Sequence, residues 1–308
     1  MCDKIRSWQK KFKHKVRCSA KPCPYAIANA DVRAKPGVHR HNGMRTMSTR
    51  DADALARLFA QICLEAAIPV MDVYASDFSS LTKGDKSPVT EADTRAEEVI
   101  LKALEAALPG VPVLAEESFA AGFRPETGSQ FLLVDPVDGT KEFINRNGEF
   151  TINIALISNR VPVAGAVYAP ALERLYLGGV SALAGGAKPG QAWPTGSGAP
   201  IRTRPLPASG RTAVMSRSHA DEETRAFAAR EGVTQTVSAG SSLKFCLLAE
   251  GRADLYPRFG PTMEWDTAAG HAVLAAAGGS VTCPDGSAFL YAKSDTGYLN
   301  GPFIARGH

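Results

Sequence analysis

Four apolar residues, Phe131-Leu132-Leu133-Val134, run directly into Asp135-Pro136-Val137-Asp138-Gly139-Thr140. A short apolar run bounded by turn residues reads as a buried strand. An unpartnered carboxylate at its end costs several kcal/mol. Asp135 therefore needs a cation or a donor, and the fold has to open a site at that end of the strand. Asp138 follows on what reads as the same loop, and two carboxylates within about one ion's diameter repel unless something neutralises them. Hard divalent ions do so with oxygen ligands. Mg²⁺ fits best, since it takes few carboxylates and leaves positions open for phosphate. Gly139 permits a tight turn, and N–H groups of a helix opening at Thr140 would face an anion. Two metals beside a phosphate nest are the arrangement of metal-assisted phosphoryl transfer. No Ser-His-Asp pattern, cysteine nucleophile or Walker A loop competes with it.

Three further segments place carboxylates where chemistry can use them: Glu116-Glu117 after a strand, Trp265-Asp266 opening a helix, and Asp93 near the start of another helix. Each has a plain structural alternative. Thr90 with Asp93 matches a capping box, Asp138 could cap a helix starting at Thr140, and helix starts favour acids such as Asp266.

Along the chain, apolar residues at helical spacing predict a helix over 51–75, kinked at Pro69, and a second helix after Pro88 that ends before Pro109-Gly110. Strands are expected over 111–115, 131–134, 150–158, 161–168 and 174–177, with a hairpin through Asn159-Arg160. Residues 178–210 hold 8 Gly and 5 Pro, which suggests exposed loops, one short strand near Trp193 and a domain boundary. Strand and helix alternate thereafter: strands over 212–215, 233–237, 253–258 and 280–283, helices over 221–230, 241–250 and 265–277. Such alternation implies a largely parallel sheet. The expected organisation is a basic extension over 1–47, a metal-binding α+β lobe over 48–205 and an α/β substrate lobe over 206–308.

The formal charge of +4 is split, with residues 1–50 at +11 and residues 51–308 at −7. An acidic body repels a phosphate backbone, so no nucleic-acid partner is expected. The basic stretch has no apolar core of a secretory signal and reads as disordered residues ahead of the domain, or as sequence upstream of a start at Met44 or Met47. It could also touch anionic lipid weakly. Cys18, Cys23, His39 and His41 match no metal-finger spacing. Scattered cysteines, with Cys63 and Cys246 on helix cores, point to a reducing compartment. No apolar run reaches the roughly 18–20 residues of a membrane span. The expected location is the cytoplasm, or a pool peripheral to the cytoplasmic face of the inner membrane, with no stable protein partner.

Glu116-Glu117-Ser118, Asp135-Pro136-Val137-Asp138-Gly139-Thr140 and Trp265-Asp266-Thr267-Ala268-Ala269-Gly270 resemble, in order, three signatures of the lithium-sensitive, Mg²⁺-dependent phosphatases of the inositol monophosphatase superfamily, over about residues 48–306. Thr140-Lys141-Glu142-Phe143-Ile144-Asn145-Arg146-Asn147-Gly148-Glu149-Phe150, Ser216-Arg217-Ser218-His219, Gly240-Ser241-Ser242-Leu243-Lys244-Phe245-Cys246 and Tyr256-Pro257-Arg258-Phe259-Gly260-Pro261 are similar to its CysQ-type 3′(2′),5′-bisphosphate nucleotidase branch.

The resemblance implies an α/β and α+β fold, a two-lobed layered αβαβα sandwich of the inositol monophosphatase/fructose-1,6-bisphosphatase type. It assigns Glu116, Asp135 and the Val137 carbonyl to one Mg²⁺, and Asp135, Asp138 and Asp266 to a second. A third, weakly held ion lies beside Glu116. Thr140, polarised by Asp93, helps deprotonate the attacking water, and Glu116, Val137, Asp138, Gly139, Thr140 and Asp266 would also meet substrate. The implied reaction removes the 3′-phosphate of adenosine 3′,5′-bisphosphate, or of its sulfated precursor, to leave AMP. An inositol or sugar phosphatase on the same scaffold is the alternative. The second phosphate calls for local cations, for which Lys244, Arg258 and His219 are candidates. Ser216 and the helix start at Ser241-Ser242 stand beside them. Lys244 and His219 could instead be solvated surface residues, while Phe245 and Leu247 read as core.

Overall fold

Among the described residues, two helices precede the strands. The computed structural model describes residues 49–76, 88–215 and 222–308, which belong to one compact unit. Helix α1 (Thr49–Ala75) runs without a break through Pro69, and its stripe of Leu55, Phe59, Ile62, Cys63, Ala66, Val70 and Val73 is buried. By length and composition it could span a membrane, contrary to the reading from apolar runs, yet it packs that stripe on α2 and the first sheet. Helix α2 (Pro88–Ala107) starts with proline, which lacks an N–H where none is needed, and buries Ala92, Ala96, Ile100 and Leu104. Thr90 therefore lies inside the helix, and the capping-box reading of Asp93 falls away.

The first sheet has seven strands in chain order, β1 (Val113–Ala115), β2 (Gln130–Asp138), β3 (Thr151–Ser158), β4 (Val161–Ala169), β5 (Arg174–Gly178), β6 (Ala182–Gly186) and β7 (Ala199–Pro200). Only β1 and β2 pair in parallel. The hairpin between β3 and β4 turns through Asn159 and Arg160 at φ 50° and 68°, the twist that matches right-handed strands. A short helix, α3 (Glu116–Ala120), follows β1, and another, α4 (Thr140–Ile144), follows β2. The expected strand at Trp193 is absent. Trp193 lies in a loop and is held by its backbone N–H to Gln61 Oε1 at 3.0 Å, while β7 takes the sheet edge beside β6.

The second sheet has the order β12 (Ser280–Thr282), β14 (Phe303–Arg306), β10 (Leu255–Arg258), β8 (Arg211–Met215), β9 (Val233–Ser238). It is mixed, not largely parallel: β8 pairs in parallel with β9 and β10, but β14 runs against both β10 and β12. The alternation rule missed β14 because the chain returns to the middle of the sheet from its terminus without a crossover helix. A small pair, β11 (Thr262–Met263) with β13 (Leu299–Asn300), stands apart.

Helices α6 (Leu243–Ala249) and α7 (Trp265–Ala276) fill the space between the sheets, and α5 (Glu222–Arg230) covers the far face of the second. The layers run α1 and α2, first sheet, α6 and α7, second sheet, α5. Gly178 lets α7 settle on the first sheet, because a Cβ there would lie 2.5 Å from the Val273 backbone. A large buried cluster lies between the sheets around Phe245, Val273, Tyr291 and Phe303, and the stripes of α1 and α2 are buried on the other face of the first sheet.

Candidate active site

The acidic residues converge from four segments. Asp93 and Glu97 point inward from one face of α2, 7% and 4% exposed, because residues four apart lie one above the other on a helix. Glu116 opens α3, Asp135 and Asp138 end β2, and Asp266 lies in the first turn of α7. Phe119 of α3 meets Trp265 at 5.2 Å between ring centroids, joining the segments that carry Glu116 and Asp266.

Asp135 and Asp138 do not share a loop, as the sequence suggested, but lie within one strand. Residues three apart on a regular strand face opposite sides. Here Asp135 pairs with Asn153 and Asp138 with Thr151, so three steps on β2 match two on β3. This is a β-bulge: the extra residue resets the alternation and returns both carboxylates to one side. Pro136, with no N–H to give, is tolerated in the bulge.

Charge repulsion records the convergence. Burial raises the pKa of Asp135 well above its ordinary value, and Glu116, Asp138, Asp266 and Asp93 raise it further. Burial and the charges of Glu116, Glu117 and Glu97 push Asp93 to about 8. Asp266 rises through burial and then Asp138, and Glu116 through burial and then Asp138, offset by a hydrogen bond with Asp135. That bond needs a proton between two acids. Asp138 is raised by burial, against the opposing pull of Lys244, the Ser242 N–H and Asn153.

Asp135 Oδ1 is buried without a hydrogen-bond partner. Among the described residues no three acidic, histidine or cysteine side chains form a closed cage. Asp266 Oδ2 instead accepts the Met263 N–H at 2.8 Å, and Asp138 Oδ2 takes Thr151 Oγ1 and Asn153 Nδ2 at 3.4 Å. The helix-start reading of Asp266 is thus fulfilled in part. The capping reading of Asp138 is not, since α4 is capped by Gly139 with no side-chain bond. An all-oxygen donor set, mutual repulsion and an orphaned carboxylate oxygen fit a hard divalent cation.

Beside the acids lies a cleft of about 260 Å³ lined by Asp138, Gly139, Thr140, Lys141, Ser241, Lys244, Tyr256, Arg258, Thr262 and Asp266. A larger groove of about 680 Å³ lies across the 239–243 segment and holds none of these acids, so the chemistry belongs to the smaller cleft. Gly139 has φ +100°, and a Cβ there would sit 2.2 Å from Ser241 Oγ. That hydroxyl donates to the Asp138 and Glu149 carbonyls at 2.7 and 2.8 Å, which ties the strand end to the second sheet's loop.

Lys244 is not a solvated residue. It is 6% exposed, and its Nζ donates to Ser241 O at 2.6 Å and Ala239 O at 3.5 Å. Burial lowers its pKa to about 8, against the pull of Asp138. Arg258 Nε donates to Gly260 O at 3.1 Å, and a terminal nitrogen to Pro261 O at 3.0 Å. Phe245 is core, 1% exposed, and Leu247 packs partly buried against the same cluster. Ser216 and His219 lie outside the described residues, as does the basic extension.

The profile of the Inositol monophosphatase family matches residues 51–303. The chain belongs to the inositol monophosphatase family. It is 45% identical over 245 residues to the 3′(2′),5′-bisphosphate nucleotidase CysQ of Escherichia coli K12, covering 79% of this chain and 96% of that one. The CysQ named from Buchnera aphidicola is 38% identical over 249 residues, 80% and 91% of the two chains. The crystal structure of CysQ from Bacteroides thetaiotaomicron superposes with a TM-score of 0.72 at 37% identity, over 83% of this chain and 97% of that one. An inositol monophosphatase from Zymomonas mobilis, at 24% identity and a TM-score of 0.67 over 85% and 94%, shares the fold.

Within this family member, the residues that sequence reading missed are polar groups behind the acids. Glu97 accepts the Glu117 and Ser118 N–H groups, both at 2.8 Å. Asn153, 1% exposed inside an apolar strand, faces Asp138. Each carried a signal: an acid on the apolar stripe of α2, and an amide in an inward register position of β3.

Proposed function

We propose that this chain is a Mg²⁺-dependent 3′(2′),5′-bisphosphate nucleotidase that converts adenosine 3′,5′-bisphosphate to AMP and phosphate. The observation that carries it is the cleft where Asp138 and Asp266 stand with Lys141, Lys244 and Arg258, beside the buried Asp135 and its orphaned oxygen. Glu116, Asp135, the Val137 carbonyl, Asp138 and Asp266 would hold two ions, with a third near Glu116. Bound Mg²⁺ supplies neutralising charge for the phosphate and lowers the pKa of the attacking water.

The chain's own residues do the rest. Asp93 sits on α2, which packs against α4, where Thr140 opens the helix. With Mg²⁺ offsetting the neighbouring acids that raise its pKa, the ionised Asp93 carboxylate would accept the proton of the Thr140 hydroxyl. The 139–140 turn presents N–H groups to the scissile phosphate. Lys244 and Arg258 meet the second phosphate of a substrate carrying about four negative charges, which an acidic body would otherwise repel. Residues 206–308 act as the substrate lobe that completes the site, and the 45% identity to a nucleotidase favours the nucleotide over inositol phosphates.

The test is phosphate release by the full chain with Mg²⁺ from adenosine 3′,5′-bisphosphate and from inositol 1-phosphate, side by side. A strong preference for the nucleotide is expected. Preference for inositol 1-phosphate would keep the metal chemistry and overturn the substrate assignment.

A further inference from the structure

Helix α3 is capped from elsewhere in the fold. Its own N-cap residue, Ala115, has no side chain that can accept a bond, and the short helix opens with the N–H groups of Glu117 and Ser118. Glu97 takes both. Its Oε2 accepts the Glu117 N–H at 2.8 Å, and its Oε1 accepts the Ser118 N–H at 2.8 Å and the Ser118 hydroxyl at 2.5 Å. All three donors belong to one turn, and the carboxylate that gathers them is 4% exposed on a different helix.

A serine at position 115 would offer α3 a local cap with no further buried charge. Glu97 instead stands among Glu117, Asp93 and Glu116, an unfavourable place for another acid. What the remote cap adds is geometry. Glu97 lies one turn beyond Asp93 on α2, so a single rigid helix face both presents Asp93 and grips the backbone of the turn that presents Glu116. Carboxylates that orient a metal ligand from behind change metal affinity by about 10- to 100-fold when lost.

We propose that Glu97 is a positioning residue that holds Glu116 in place for the cation and fixes its spacing from Asp93. This rests on the reading of Glu116 as a metal ligand. Glu97→Gln keeps the shape but points an NH₂ at a backbone N–H, and Ser118→Ala removes only the hydroxyl bond.

The experiment is calorimetric Mg²⁺ binding to the full chain, with thermal melting of each variant. Glu97→Gln should bind Mg²⁺ about 10- to 100-fold more weakly, the usual effect of losing such a partner. Ser118→Ala should shift in the same direction by less. Arg204→Met, which breaks the half-buried ion pair with Asp254 outside the acidic cluster, serves as the control for lost stability and should keep wild-type affinity. Glu97→Gln with a lower melting temperature and wild-type affinity would overturn the proposal and leave Glu97 a simple cap. Should Glu97→Gln fail to fold, unchanged affinity in Ser118→Ala overturns it. Glu116→Gln separates the two readings: if it binds Mg²⁺ normally, the ligand assignment fails and the inference with it, whereas loss there without loss in Glu97→Gln sinks the inference alone.

Discussion

At the residue scale, function and stability pull against each other in the acidic cluster. Asp135 is 1% exposed and surrounded by four other acids, so its charge costs folding energy that only a cation returns. Asp135→Asn should lower turnover at least about 100-fold and abolish Mg²⁺ binding. Without Mg²⁺ the variant should melt no lower than the wild type. Wild-type Mg²⁺ affinity in a calorimetric titration would refute the role of Asp135. The opposite case is Asp254, also 1% exposed, which accepts two bonds from Arg204 at 2.8 Å and the Thr212 N–H at 2.7 Å. Burial raises its pKa, but these partners outweigh it and the net shift is downward. Removing Arg204, a third exposed, leaves a buried charge half satisfied. Arg204→Met should cost about 2–3 kcal/mol by denaturant unfolding, with activity retained.

At the scale of elements, the hairpin and the two long helices were legible because their signals are local. Period 3.6 in α1 and α2, and a two-residue turn between β3 and β4, involve neighbours in the chain. The bulge in β2 was not legible, since Asp135-Pro136-Val137-Asp138 reads equally as a loop until β3 supplies the register. β14, β6 and the edge strand β7 were missed for the same reason: a short strand is specified by its partner. Gly178 is the matching case for helix packing, because nothing in its own neighbourhood shows that α7 passes within reach. Gly178→Ala would push Ala against the Val273 backbone, where a Cβ has 2.5 Å. About 1–3 kcal/mol of destabilisation is expected. Turnover should fall as well, because Asp266 rides on α7. A variant with wild-type melting temperature would show that the layer spacing adjusts freely.

At the scale of the whole molecule, the layers bring together acids that are far apart in sequence, and this gives stability a pH dependence with a definite sign. Asp93, Glu116, Asp135 and Asp266 bind protons more tightly folded than unfolded. Their contribution is therefore fully present below the unfolded carboxyl range near 4 and is lost as pH rises towards about 8. In chelator, the melting temperature should fall across that window. Mg²⁺ at about 100 times its dissociation constant should restore about 2.7 kcal/mol at neutral pH and flatten the slope. A melting temperature independent of pH in chelator would contradict the convergence of the acids. The sequence alone determined which residues are acidic, where the long helices lie and that a strand ends in carboxylates, because composition and short-range periodicity are properties of neighbours. Only the tertiary structure decided that the bulge turns Asp135 and Asp138 to one side, that Lys244 is buried, and that Glu97 reaches α3. Those depend on register and on close approach between segments distant in the chain, which no local pattern encodes.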